Sequence, residues 1–282
     1  MDYKKVYENI QNNFRQYLFK SGLKAVVIGE SGGLDSGAIS ALARPVCDEL
    51  GVKLIGRYIG IETNGDDELE RANAIGKAFC HDYKVIDMSH ISVDLRTFVE
   101  EMEGMETDFK AIPRKIRNGN TKARLRMIYL YNLAQLHGGM VLSTDNLTEF
   151  MLGFWTLHGD VGDYGMIQYL KKTDVFGLVK WIALNVCGGT GSVCRNVLLA
   201  CYDAIPKDGL GISKSDVEQL GAEDYYEVDD VLYGFIDAVI DDDLGTAEKL
   251  KPHPVVQRHF ASQFKRSNPY NIPEGELTRG AT

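Results

Sequence analysis

The chain has 282 residues, enough for one large α/β domain or one domain with a helical appendage. Its 31 Lys and Arg against 40 Asp and Glu give a formal charge of −9, which argues against a general nucleic-acid footprint but leaves room for a local basic pocket holding an anion. No apolar run reaches bilayer length, and the amphipathic stretch Met1 to Lys20 lacks the apolar core of a signal peptide, so no membrane partner is expected.

Taken in chain order, residues 3–20 have the spacing of an amphipathic helix, with Val6, Ile10, Phe14, Tyr17 and Leu18 on one side. Lys24 to Gly29 reads as a buried strand, followed by a Gly-rich turn and a helix from about Ser36 to Leu50. Lys53 to Ile59 reads as a second strand, 67–80 as a helix, and Lys84 to Met88 as a third strand. This rhythm predicts right-handed crossovers and a parallel sheet. Residues 101–119 pass from acidic to basic around Pro113 and read equally as a mobile lid or a solvated linker. A helix over about Asn120 to His137, a fourth strand over Met140 to Ser143, a loop over Gly159 to Gly165 and a helix from Thr173 to about Val186 follow. The expected organisation is one domain over 1–282, with the N-terminal helix 3–20 and a helical C-terminal extension over about 229–265. Cys47, Cys80, Cys187, Cys194 and Cys201 form no C-x-x-C pair; an odd, widely spaced set suits reduced thiols and a cytoplasmic setting, and packing explains the seven-residue spacing of the last three.

Ser31-Gly32-Gly33-Leu34-Asp35-Ser36 joins the first strand to its helix. Glycines let backbone amides approach an oxyanion, and the helix start offers unpaired N–H groups to phosphates. Ser31 and Ser36 can donate hydroxyls. Asp35 repels bare phosphate, so its chemistry is that of a Mg²⁺ ligand bridging to phosphate oxygens. The loop has neither the G-x-x-x-x-G-K-[ST] nor the G-x-G-x-x-G pattern.

The loop resembles the SGGxDS signature of the ATP pyrophosphatase (PP-loop) superfamily, whose members cleave ATP between the α- and β-phosphates. Three further segments resemble one family within it. Asn120-Thr-Lys-Ala-Arg-Leu-Arg126 is similar to the N-x-x-A-R-x-R of NAD synthetase. Ser143 to Glu149 followed by Gly153 to Asp160 is similar to its G-T-x-x-x-x-E…G-F-x-T-x-x-G-D stretch. Lys265-Arg266 with Pro269 is similar to its terminal K-R-x-x-P. With no glutamine-hydrolysing segment in view, the ammonia-dependent form is the match.

The resemblance implies a doubly wound parallel α/β sheet of PP-loop type with a helical C-terminal region. It also implies a homodimer with the substrate site at its interface. The implied reaction adenylates the nicotinate carboxylate of deamido-NAD with ATP, releases pyrophosphate, and amidates the adenylate with ammonia to give NAD and AMP. It assigns ATP to Gly29, Ser31, Gly32, Gly33, Asp35, Ser36, Arg57, Thr144 and Lys172. It assigns deamido-NAD to Arg124, Asp163 and Lys265, and Mg²⁺ to Asp35 and Glu149. Asp35, Lys172 and Asp163 are the expected catalytic groups, with Asp160 the alternative loop carboxylate. Each carries a plainer reading as well: dipole complementation for Glu149, a surface strand end for Arg57, a solvated pair with Lys171 for Lys172. Arg124 and Arg126, two apart near a helix start, point in different directions, so one can reach a ligand while the other packs or pairs. Leu157, Phe264 and Lys207 depart from residues common in the family, and His158 stands beside the first of them. Other superfamily enzymes, such as a tRNA thiolase or a GMP synthetase fragment, and a non-catalytic nucleotide binder are the competing readings.

Overall fold

The computed structural model describes residues 1–62, 65–104, 112–204 and 215–272. The first half runs α1 (Tyr3–Ser21), β1 (Ala25–Gly29), α2 (Leu34–Leu50), β2 (Lys53–Gly60), α3 (Asp66–Phe79), β3 (Asp82–Asp87), α4 (Ser89–Met102) and α5 (Ile112–Leu136). The second runs β4 (Gly139–Ser143), α6 (Leu147–Leu152), β5 (Tyr164–Gly165), α7 (Lys172–Asn185), α8 (Val193–Asp203), α9 (Asp216–Gln219), α10 (Tyr225–Ile240), α11 (Leu244–Leu250), α12 (Pro254–Ala261) and α13 (Gln263–Arg266).

All five strands pair in parallel, in the order β3-β2-β1-β4-β5. Helices cover both faces, so β1 is buried throughout its apolar run Ala25 to Ile28. On one side Val26, Ile28 and Leu54 join a cluster with Phe14 and Leu18 of α1, Ile39 and Leu42 of α2, Ile75 of α3, Leu178 of α7 and Leu198 of α8. On the other, Val27, Ile55 and Val141 meet Leu125 and Leu130 of α5. This is the doubly wound sheet expected. Its order reverses between β1 and β4, so the carboxyl ends of those strands open a crevice where a ligand can enter.

Several elements differ from expectation. Residues 113–119, read as lid or linker, form the first turns of α5. Pro113 suits that position, because a helix's first N–H groups have no intrahelical partner to lose. Residues 105–111 of that segment and Lys207 lie outside the described residues. The helix α4 lies where no element was expected; it carries Ile91, Leu95, Phe98, Val99 and Met102 at helical spacing, and all of them are exposed. The loop after residue 159 contains the short strand β5. Cys187, Cys194 and Cys201 pack against the largest cluster, and all five cysteines are free thiols. Among the described residues no helix is long and apolar enough to cross a membrane.

Candidate active site

The loop after β1 is built from its own hydroxyls and from α3. Gly33 N donates to Ser31 Oγ at 3.2 Å, Ser31 and Ser36 hydroxyls meet at 3.1 Å, and Ser36 Oγ donates to Gly33 O at 3.3 Å. Gly32 has φ +79°, and a Cβ there would collide with the Glu68 carbonyl of α3. Both facts demand glycine. Arg71 of α3 donates through Nε to Gly32 O at 2.9 Å, fixing the loop from behind. The Gly33 N-cap has no side-chain bond, so the start of α2 keeps amides available to an anion.

Asp35, in the first turn of α2, meets residues from two distant segments. Lys172, the first residue of α7 and only 3 % exposed, places Nζ 2.5 Å from Asp35 Oδ2 and 2.9 Å from Glu149 Oε1. Asn146 Nδ2 donates to Asp35 Oδ1 at 3.0 Å. Burial pulls the Lys172 ammonium down, but the carboxylates of Asp35 and Glu149 outweigh it and hold its pKa well above the usual lysine value. Burial raises the Glu149 carboxyl, against the Lys172 charge. Glu149 also closes a capping box with Asn146 at the start of α6, so the plainer helix-start role and the paired-carboxylate geometry coexist.

Two carboxylates converging on one ammonium form an oxygen donor set that suits a hard cation. They supply only part of its shell. Among the described residues no group of three or more His, Cys, Asp or Glu is arranged around a metal position. The Asp35 and Glu149 oxygens are the residues present that fit Mg²⁺.

The other expected residues divide. Thr144 follows β4 at the crevice, half-buried. Arg124 is exposed and donates through Nε to Leu157 O at 3.1 Å, whereas Arg126 turns to Ile59 O at 3.0 Å, so the two do point apart. Lys265 Nζ donates to the carbonyls of Gly153 and Trp155 at 2.6 and 2.5 Å, fastening the Gly153 to Asp160 segment to α13. Arg57 is not brought to this cluster. Its Nη1 binds Gly56 O at 2.7 Å and Asp82 O and Oδ1 at 3.0 Å, inside the β2–β3 pairing.

Asp163 is engaged in the sheet as well. Its Oδ2 accepts from Val141 N at 2.9 Å and its Oδ1 from Tyr131 OH at 3.0 Å. Gly162 lets this happen, since a Cβ there would press on the Leu142 and Ser143 backbone. Asp160 lies within electrostatic reach of Glu149, Asp145 and Lys265 instead. It accepts from Thr156 N at 2.7 and 2.9 Å, and burial, eased by that bond and by Lys265, pushes its carboxyl up to about 6, with Glu149 adding to the rise. Phe264 is exposed, and His158, at φ 58°, meets Asn268 Nδ2 through Nε2 at 3.1 Å.

Three acidic or amide groups escaped sequence reasoning. Asn146 carried a usable signal, an N-x-x-E cap before an apolar run. Asp145, pushed up to about 7 by burial and by Asp160, carried none. Nor did Glu30, which leaves β1 directly beneath the phosphate loop at 2 % exposure. Glu30 Oε1 accepts from Ser40 Oγ and lies 3.7 Å from Cys80 Sγ, while Oε2 has no hydrogen-bond partner among the described residues. Burial pushes its carboxyl up to about 7, held down only in part by the Ser40 hydroxyl and Cys80 thiol.

A folded pKa near 7 against an unfolded value of about 4.3 makes the ionised carboxylate a liability. The associated stability is complete below pH ~4.3 and falls by roughly 4 kcal/mol as pH climbs through 7. Glu30→Gln removes this titration. Its melting temperature relative to wild type is therefore expected to rise from pH 5 to about pH 7 and then to level off. Melting curves across that range check it, and a pH-independent difference would contradict the assignment.

With this geometry in view, comparison with known proteins is decisive. The family model described as NAD synthase matches residues 6–269. The chain belongs to the NAD synthase family. It is 30 % identical over 266 residues to the NH(3)-dependent NAD(+) synthetase of Finegoldia magna, covering 94 % of this chain and 98 % of that one. It is 33 % identical over 241 residues to the protein of the same description from Pyrococcus horikoshii, covering 85 % and 81 %. In fold it is similar to an NMN synthetase from Francisella tularensis (TM-score 0.73, 23 % identity, 97 % and 99 % covered). It is also similar to an NH3-dependent NAD synthetase from Campylobacter jejuni (TM-score 0.66, 21 % identity, 97 % and 100 % covered). Family membership makes the chain an NAD synthetase-type ligase that uses ATP as co-substrate, in preference to the thiolase, GMP synthetase and non-catalytic readings.

Proposed function

We propose that this enzyme activates the nicotinate carboxylate of deamido-NAD with ATP in the β1–β4 crevice and then amidates it with ammonia. The observation that carries this is Lys172 Nζ held between Asp35 and Glu149 beside the phosphate loop. A carboxylate is a poor electrophile, so one of its oxygens attacks the α-phosphorus of ATP and pyrophosphate leaves. The amides at the start of α2, the Ser31 and Ser36 hydroxyls and the Lys172 ammonium take up the charge that grows on the departing pyrophosphate. Asp35 and Glu149 would hold Mg²⁺, which would supply further charge neutralisation. Thr144 meets the nucleotide at the end of β4. Arg124 and Lys265 bind and frame the deamido-NAD side, directly in the first case and by fixing the Gly153 to Asp160 segment in the second.

The adenylate then accepts ammonia at its carbonyl carbon, and AMP leaves. We assign the loop carboxylate to Asp160 rather than Asp163, because Asp163 is committed to β4 and Tyr131. With its carboxyl near 6, Asp160 is ionised at neutral pH and able to take a proton from the attacking ammonia. The assembly in this reading is a cytoplasmic homodimer; the exposed apolar side chains of α4, among them Leu95, Phe98 and Met102, supply a surface for it.

The test is incubation with ATP, Mg²⁺, ammonium and deamido-NAD, with NAD, AMP and pyrophosphate quantified. Equimolar NAD and AMP is the expected result. ADP in place of AMP, or no NAD, would sink the reading. Amidation of nicotinate mononucleotide in preference to deamido-NAD would keep the chemistry and replace the substrate.

A further inference from the structure

The helical C-terminal part of the chain reaches the active site through one carboxylate. Asp229, on α10, is 4 % exposed. Its Oδ1 accepts from Thr148 Oγ1 at 2.5 Å. Its Oδ2 accepts from Thr173 N at 3.0 Å and from Thr173 Oγ1 at 2.7 Å. Because the Thr148 hydroxyl donates to Asp229, its oxygen is left to accept from Lys172 N, at 2.9 Å. The Tyr233 hydroxyl, one turn along α10, stands 3.4 Å from the same oxygen.

These bonds fall on the backbone of the active site. Lys172 and Thr173 are the first two residues of α7, whose leading N–H groups have no partner within the helix. The N-cap, Lys171, supplies no oxygen to bind them. Asp229 caps the helix from outside instead, taking Thr173 N itself and Lys172 N through Thr148. Its negative charge lies at the positive end of the α7 dipole. Thr148 immediately precedes Glu149 on α6. One side chain on α10 thus bears on the backbone positions of both Lys172, which bridges Asp35 and Glu149, and Glu149 itself.

We infer that Asp229 is a positioning residue of the reaction: through Thr148 and Thr173 it sets where the Lys172 ammonium and the Glu149 carboxylate stand against the phosphate loop. This rests on the role given to Lys172 above. A displacement of about 1 Å at a charge-stabilising group costs on the order of 10²-fold in rate. An amide at 229 offers one acceptor atom where the carboxylate uses two, so Asp229→Asn either releases one of its partners or reverses the Thr148 bond, and in every case removes the negative charge at the start of α7.

The experiment has two arms on the intact enzyme. In the kinetic arm, Asp229→Asn and Thr148→Val are expected to lower kcat by about 10- to 100-fold, with KM for deamido-NAD changed less than about threefold. Thr148→Ser, which keeps the hydroxyl, recovers most of the loss. In the second arm the proteins, free of substrates, are reductively methylated with formaldehyde and a borohydride-type hydride donor, and modification is located by tandem mass spectrometry. Lys172 is expected to be protected in wild type and to react at least about tenfold faster in Asp229→Asn and Thr148→Val, with exposed Lys251 unchanged. A fall in kcat without greater Lys172 reactivity overturns the inference, as does unchanged kcat in both variants. Should Asp229→Asn not fold, the Thr148 pair alone decides the matter. The labelling arm requires no turnover, so a wild-type enzyme inactive on deamido-NAD would sink the proposed reaction and leave this inference standing.

Discussion

Lys172→Met is expected to lower kcat by about 10³-fold or more and to melt below wild type at neutral pH. Methionine keeps the length and apolar stem of lysine and removes the charge. The Asp35 and Glu149 carboxylates, which now share one ammonium, are then left near each other with their side chains only 16 and 18 % exposed. Breaking a buried pair by deleting one partner costs roughly 3–5 kcal/mol, because the remaining charge keeps its burial and loses its compensation. Like charges at close range also raise the proton affinity of one of the two. The folded pKa of that carboxyl therefore rises further above its unfolded value. The variant's deficit is expected to shrink towards pH 5 and to grow above pH 7. A divalent cation can take the place of the lost charge, so Mg²⁺ is expected to raise the variant's melting temperature more than the wild type's. Steady-state kinetics and melting curves over pH and Mg²⁺ concentration check both parts. A variant within tenfold of wild-type kcat would remove Lys172 from the reaction.

Asp35→Asn is expected to reduce kcat/KM for ATP by about 10²- to 10³-fold and to raise the Mg²⁺ concentration at half-maximal rate by about tenfold or more. The amide can still accept from Asn146 Nδ2 through its oxygen. Its NH2 group would then point at the Lys172 ammonium, setting donor against donor where a 2.5 Å ion pair now stands. The site loses a ligand charge and gains a repulsive contact. Binding of deamido-NAD in the absence of ATP should change little, since Arg124 and Lys265 lie on other segments. Rates measured against Mg²⁺ separate these effects. An unaltered Mg²⁺ dependence would show that Asp35 serves the lysine alone.

What the sequence disclosed follows from which interactions are local. The buried run Val26 to Ile28, the glycines at 32 and 33 and the helix after them speak through patterns a few residues long, and they folded as read. The pairing of Asp35 with Glu149 was legible only through the resemblance; the place of Lys172 between them follows from the assembled start of α7. Arg57 was not legible, since its direction depends on the β2–β3 register, which sets Ile55 opposite Asp82 and gives the guanidinium a partner inside the sheet. The choice between Asp160 and Asp163 turned on a two-residue strand too short to leave a periodic trace. Asp145, Glu30 and Asp229 are acidic letters like any surface carboxylate; only their burial, a property of the assembled helices, separates them from the rest.

The strand order also bears on how the molecule is made. On the ribosome, β3, β2 and β1 are complete while the partner on the other side of β1 is still untranslated: Ala25 pairs with Gly139. Until then β1, the most apolar strand, presents a bare edge of the kind that invites pairing with a neighbouring chain. The closure that buries that edge also carries Glu149 and then Lys172 to Asp35. Nucleotide capture is thus expected to become possible only after the vulnerable seam has closed. Retention on an immobilised ATP analogue would then sort finished chains from nascent or misassembled ones.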